Sequence, residues 1–152
     1  MRLHHRLPAL ALAAGLTLSL ASCQTLAGKG GSPKEFEELK QALSDDRAGL
    51  SQALAAGELD RVSSRLQGIS TRFDDIWAKS SAMNLLDREH LAIQLASGRR
   101  MLTSIGQWVS SSDIDAIRSE VEKLNPVLDD VDTLLDHTIR ATAADNPAPE
   151  GS

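Results

Sequence analysis

Residues 59–76 read LDRVSSRLQGISTRFDDI. Leu59, Val62, Leu66, Ile69, Phe73 and Ile76 recur there at spacings of three, four, three, four and three. That alternation puts all six on one stripe of a helix with 3.6 residues per turn, the a/d seam of helices that pack on helices. The positions between them are polar apart from Gly68, so one face is apolar and the rest is wet. A solvated loop has no reason to keep such a register. The stretch predicts a helix from about Glu58 to Lys79.

The same register extends outward in both directions. Upstream, from about Pro33 to Ala56, the stripe is Phe36, Leu39, Leu43, Leu50 and Leu54, interrupted by Asp46. Ser32 and Pro33 suit a helix start, and Gly57 suits a helix end. Downstream, from about Leu85 to Val109, the stripe is Leu91, Leu95, Gly98, Leu102, Ile105 and Val109, with Ile93 and Met101 expected to widen the buried face. From about Asp113 to Ala143, Ile114, Ile117, Val121, Leu124, Leu128, Val131 and Leu135 keep the seam in register through Pro126. A proline there removes a backbone hydrogen bond, so this segment is expected to be a kinked but continuous helix.

Two interruptions separate these segments. Ser80–Asn84 breaks the second from the third, with Asn84 and Asp87 placed to cap the third; Ser110–Ser112 breaks the third from the fourth, with Ser112 and Asp115 at capping-box spacing. Similar lengths joined by short turns predict an all-α fold, an antiparallel up-down-up-down four-helix bundle over residues 34–144. Residues 80–84 contain neither Gly nor Pro. Were they helical, residues 58–109 would form one long helix in an extended three-helix coiled coil.

The first 22 residues have another character. Met1–Arg6 carries Arg2 and Arg6, Leu7–Leu20 is almost wholly Leu, Ala, Gly and Thr, interrupted by Ser19 and a proline at position 8, and Ala21 and Ser22 are small. An apolar run of 14 residues is too short for the roughly 20 that cross a bilayer as a helix, but it fits the h-region of a secretory signal. Leu20-Ala21-Ser22-Cys23 then resembles the lipobox of bacterial lipoprotein precursors at all four positions. The resemblance implies diacylglycerol on the Cys23 thiol, cleavage of residues 1–22, and acylation of the new amino group. A single acyl chain holds a protein only marginally and stable anchoring needs two, so Cys23, the chain's one cysteine, reads as a membrane handle. By analogy with enteric-type Gram-negative bacteria, where Asp after the cysteine retains lipoproteins in the inner membrane, Gln24 implies the outer membrane, facing the periplasm. Residues 23–33 read as a flexible tether and 145–152 (DNPAPEGS) as a disordered tail.

Charge and composition narrow the functions further. The leader removes two arginines and no acids, so 16 basic residues become 14 against 21 acidic ones and the net charge moves from −5 to −7. An acidic domain of this kind is repelled by nucleic acid and by anionic lipid. Aromatics are few (Phe36, Phe73, Trp77, Trp108), so the core must be aliphatic.

The residues able to carry chemistry are sparse. His4 and His5 leave with the leader; His90 and His137 remain on the third and fourth segments. A lone cysteine excludes a C-x-x-C-H haem attachment. A bundle resembling the b-type cytochromes would need a Met ligand early in the first helix, and that helix has none. Di-iron bundles need two Glu-x-x-His motifs, and neither Asp87 three before His90 nor Asp136 next to His137 supplies one. Asp129, Asp132 and Asp136 share a strip beside the fourth seam, a candidate for a divalent cation but without the glycine-turned loop of an EF-hand. Arg61, Arg65, Arg72 and Lys79 form a basic strip on the second segment, expected to form interhelical salt bridges or, as the alternative, to meet an acidic partner, while the acidic strip is expected to be a solvated face or to pair with these bases. Trp77 and Trp108 flank seam residues at opposite ends of the bundle, either capping the core or anchoring a partner. No nucleophile constellation or phosphate-cradling loop is present. The sequence thus predicts a non-enzymatic envelope lipoprotein with a structural or protein–protein interaction role, an unidentified envelope partner, and no cofactor beyond the lipid at Cys23. The alternative is a small-ligand or metal-binding periplasmic bundle using His90, His137 or the acidic strip.

Overall fold

The computed structural model describes residues 30–145. The leader, the Leu20–Cys23 motif, the larger part of the 23–33 tether and residues 146–152 of the tail lie outside the described residues. Four helices succeed one another: α1 Pro33–Ala56, α2 Leu59–Lys79, α3 Leu85–Ser111 and α4 Ile114–Asp145.

Each helix end is set by local chemistry. Ser32 and Glu35 form a reciprocal capping box at the start of α1, with Pro33 in the first turn. Gly57 closes α1 at φ 70°, a left-handed conformation that costs glycine nothing, while Glu58 N–H donates to the Ala53 carbonyl. Between α2 and α3 the chain tightens into a 3₁₀ turn, Ser80–Ala82, and then extends at Met83 and Asn84. The Asn84 side chain accepts the Asp87 N–H at 3.0 Å, capping α3. Residues 58–109 are therefore not one helix, and the three-helix alternative is excluded.

The α3–α4 connection differs from the serine pattern in one respect. Ser110 and Ser111 stay helical, each hydroxyl donating to a carbonyl of the preceding turn, and Ser112 takes the left-handed position at φ 59°. Asp113, not Ser112, caps α4 by accepting the Ala116 N–H at 3.0 Å. A serine run marks a turn without marking which serine turns, because each hydroxyl also satisfies a helical carbonyl.

Cross-helix side-chain pairs fix the directions. Glu35 meets Lys79 and Asp46 meets Arg65 between α1 and α2. Asp74 meets Arg99 between α2 and α3, Asp87 meets His137 between α3 and α4, and Lys40 meets Asp136 between α1 and α4. In every set where two pairs join the same helices, numbers rise on one helix as they fall on the other, so neighbours run antiparallel. The helices thus occupy the corners of a square in chain order, with α1–α2 and α3–α4 the most extensively packed pairs.

The core is the set of seams. Phe36, Leu43, Leu50 and Leu54 of α1 meet Val62, Leu66, Ile69, Phe73 and Ile76 of α2, Leu91, Leu95, Leu102 and Ile105 of α3, and Ile117, Leu124, Leu128, Val131 and Leu135 of α4. Met83 is buried and Met101 packs at the edge. Gly98 sits where the Phe73 ring crosses α3: a methyl group there would overlap the ring edge, lying 2.9 Å from Cζ and 3.4 Å from Val127 Cγ1. Ile93 does not widen the buried face. It comes two residues after Leu91, about 200° around the helix, and points outward. Pro126 lies inside an uninterrupted α4, on its exposed side.

Candidate functional site

The acidic strip of α4 is closed by α1. Lys40 Nζ lies 2.6 Å from Asp136 Oδ1 and 3.5 Å from Asp132 Oδ2, and Arg47 reaches both Asp129 and the Asn125 amide oxygen. The expected pairing with the arginines of α2 does not occur, because α2 and α4 stand on a diagonal of the square. Asp132 and Asp136 share the Lys40 ammonium and Asp129 faces Arg47, so each carboxylate meets a cation of the chain itself.

The histidines are placed apart from that strip. His137 Nδ1 bonds Asp87 Oδ2, which also accepts from the Asn84 side-chain amide at 2.6 Å. His90 is exposed and meets Gln94, whose amide bridges to Asp130 Oδ2 at 2.9 Å. Among the described residues no group of three or more His, Cys, Asp or Glu side chains comes together to hold a metal ion.

The basic strip of α2 folds onto its own neighbours. Asp46, whose side chain is only 13% exposed, takes Arg65 at 3.1 Å and Arg72 Nε at 3.5 Å, and Arg72 also reaches Asp75 at 3.3 Å. Arg61 pairs with Glu58 at the helix start and stands largely in solvent. The break that Asp46 makes in the α1 stripe is thus a partly buried carboxylate between two guanidiniums. Removing one partner of such a group strands the other. The signal was the lone acid inside an apolar stripe.

Among the described residues, Glu35 and Lys40 are the groups whose titration moves clearly. The Lys79 ammonium at 2.6 Å, then the Ser32 N–H, hold the Glu35 carboxyl at about 2 against its ordinary 4.5. Lys40 is pushed above the usual lysine value by its hydrogen bond to Asp136. Glu35 is depressed in the folded state, so its contribution is present above pH 4.5 and drains away as pH falls toward 2; that of Lys40 is present below its ordinary 10.5 and fades above it. Urea midpoints across pH should be level near neutrality and fall below pH 4.5. Glu35→Gln should flatten the acid limb while leaving the alkaline limb in place. An unchanged acid limb in that variant removes Glu35 from the account.

The tryptophans are half-covered, 39% exposed for Trp77 and 40% for Trp108. The Arg88 guanidinium lies 5.2 Å from the centroid of the Trp77 ring, a cation–π contact joining the end of α2 to the start of α3. Leu85 and Leu86, the first two residues of α3, are 70% and 75% exposed. The seam of α3 starts at Leu91, so these two leucines already stood out of register in the sequence. The buried polar side chains, Ser80 and Thr138, each donate to a carbonyl of the preceding turn, Trp77 and Leu134. No helix among the described residues is long and apolar enough to cross a membrane.

Compared with protein-family models, curated proteins and solved structures, the chain matches none.

Proposed function

We propose that the chain is a lipid-anchored envelope lipoprotein whose four-helix bundle serves a structural or protein–protein interaction role, without catalysis. The address rests on Leu20-Ala21-Ser22-Cys23 behind a positive start and a 14-residue apolar run. By the same resemblance Gln24 favours the outer membrane, facing the periplasm. The observation that carries the role is the core: aliphatic and aromatic side chains from all four helices fill it, and its two polar groups are spent on their own helices. A bundle that binds haem or a metal presents ligating side chains inward, and here His90 and His137 stand at the surface. What the molecule offers is its outside.

The test uses the processed lipoprotein in detergent, titrated separately with haem, zinc, iron and calcium at tens of micromolar. A ligand held at a hundredth of that concentration stabilises by about 2.7 kcal/mol, a rise in melting temperature of roughly 10 °C or more. No rise and no haem absorbance band are expected, alongside crosslinks to an envelope protein in native membranes. A saturable rise with any of the four would replace this reading by the ligand-binding one.

A further inference from the structure

Five large apolar side chains stand exposed among the described residues, and three of them gather at one end of the bundle. Trp77 lies in the last turn of α2, and Leu85 and Leu86 open α3. Trp108 is at the opposite end, and Ile93 lies two turns along the outer side of α3. Side chains on a helix lean toward its N-terminus, so Leu85 and Leu86 project past the end of the bundle while Trp77, on a helix running the other way, sits slightly behind them. Asn84 caps this helix start and fixes the two leucines in place. The Arg88 guanidinium over the Trp77 ring adds a cation beside the apolar group.

The chain toward Cys23 leaves from this same end. Gly31 N–H donates to the Lys79 carbonyl at 3.2 Å, which fastens the first described residues beside the close of α2. From Cys23 to Gly30 the seven residue steps reach at most about 25 Å. The opposite end is a further helix length away, roughly 32 Å for the 21 residues of α2.

We propose that this end of the bundle rests on the bilayer that holds Cys23, with Leu85 and Leu86 in the boundary between headgroups and acyl chains and Trp77 at headgroup level. The inference rests on the lipid anchoring proposed above. Indole rings favour that depth, and a cation beside the ring suits the phosphate layer. Tethering turns a weak contact into an intramolecular one, so a patch of three side chains suffices where a free domain would not bind. The acyl chains supply attachment; the patch supplies orientation.

The experiment reconstitutes the acylated protein into zwitterionic phosphatidylethanolamine–phosphatidylcholine vesicles containing brominated lipid, since an acidic domain is repelled by an anionic surface. Trp108→Phe leaves Trp77 as the reporter, and Trp77→Phe leaves Trp108 as the far-end control. Trp77 emission should fall roughly two-fold or more and shift to the blue, while Trp108 stays unquenched. Leu85→Ser with Leu86→Ser, in the Trp108→Phe protein, should return Trp77 to the level of the control while the protein still floats with the vesicles. Equal quenching of the two tryptophans in vesicle-bound protein, as expected of a patch that serves a protein partner instead, overturns the orientation and leaves the anchor standing. Protein that does not float, with an unmodified Cys23 by mass, overturns the anchor and this inference together.

Discussion

Phe73→Ala should lower the stability of the bundle by about 3–5 kcal/mol, a large part of the 5–15 kcal/mol that holds a domain of this size together. Phe73 is fully buried, at the crossing of α2 and α3. The cost combines the lost transfer energy of the ring with the cavity that remains. Urea unfolding tracked by helical circular dichroism gives the number, and an unchanged m-value would show that the folded state itself is intact. The neighbouring glycine supplies a sharper check. Gly98→Ala gains about 1 kcal/mol of helix propensity but presses a methyl group into the Phe73 ring, and overpacking a tight core costs about 1–3 kcal/mol. In the parent protein the change should therefore destabilise. In the Phe73→Ala background the obstruction is gone and the same change should stabilise by roughly 0.5–1 kcal/mol. A reversal of sign between backgrounds is expected only if the two residues touch as described. A stabilising Gly98→Ala in the parent protein would remove the contact from the account.

The reach of each signal decides how much of the molecule was legible in its sequence. The seam of residues 59–76 determined the buried face because periodicity is a local property of the chain: Val62, Leu66, Ile69, Phe73 and Ile76 all reach the core, and Leu59 packs at its edge. Gly98 was recognisable as a seam position, but its service to Phe73 depends on which level of α2 faces which level of α3. Ile93 was misplaced by apolarity alone; its spacing from Leu91 already set it on the far side of the helix. The partners of Asp129, Asp132 and Asp136 lie on α1 and not on α2, because in a bundle that runs up and down in chain order the first and last helices are neighbours and the second and fourth are diagonal. The exposed pair Leu85–Leu86 was visible as residues off the register, but its place beside Trp77 and the departing chain required the turn at Ser80–Ala82. The address motif has the opposite character. It is chemical, carried by four residues in a row, and independent of how the bundle packs.

That independence makes Cys23→Ser the most discriminating change available. The core that stabilises the bundle starts at Phe36 and ends at Leu135, so the variant should melt within about 1 °C of the parent domain and keep its helicity. Attachment should change completely. A single myristoyl-like chain binds a bilayer with an association constant of about 10⁴ M⁻¹, roughly 5 kcal/mol, and a second chain about doubles that, which makes release negligible on the time scale of a cell. A serine hydroxyl offers no thiol for the diacylglycerol, and the substitution removes the cysteine on which the proposed cleavage before residue 23 rests. The variant should therefore keep residues 1–22, whose apolar run of 14 is too short to span the bilayer. Mass spectrometry of the N-terminal peptide should find an acylated Cys23 at the start of the parent chain and Met1 or its removal product at the start of the variant. An alkaline carbonate wash should strip the variant from membranes and leave the parent bound. Equal resistance to the wash, with the same N-terminus in both proteins, would leave the anchor without support. Unfolding of the variant would instead contradict the separation of anchor from bundle, on which the orientation of Leu85 and Leu86 toward the bilayer also depends.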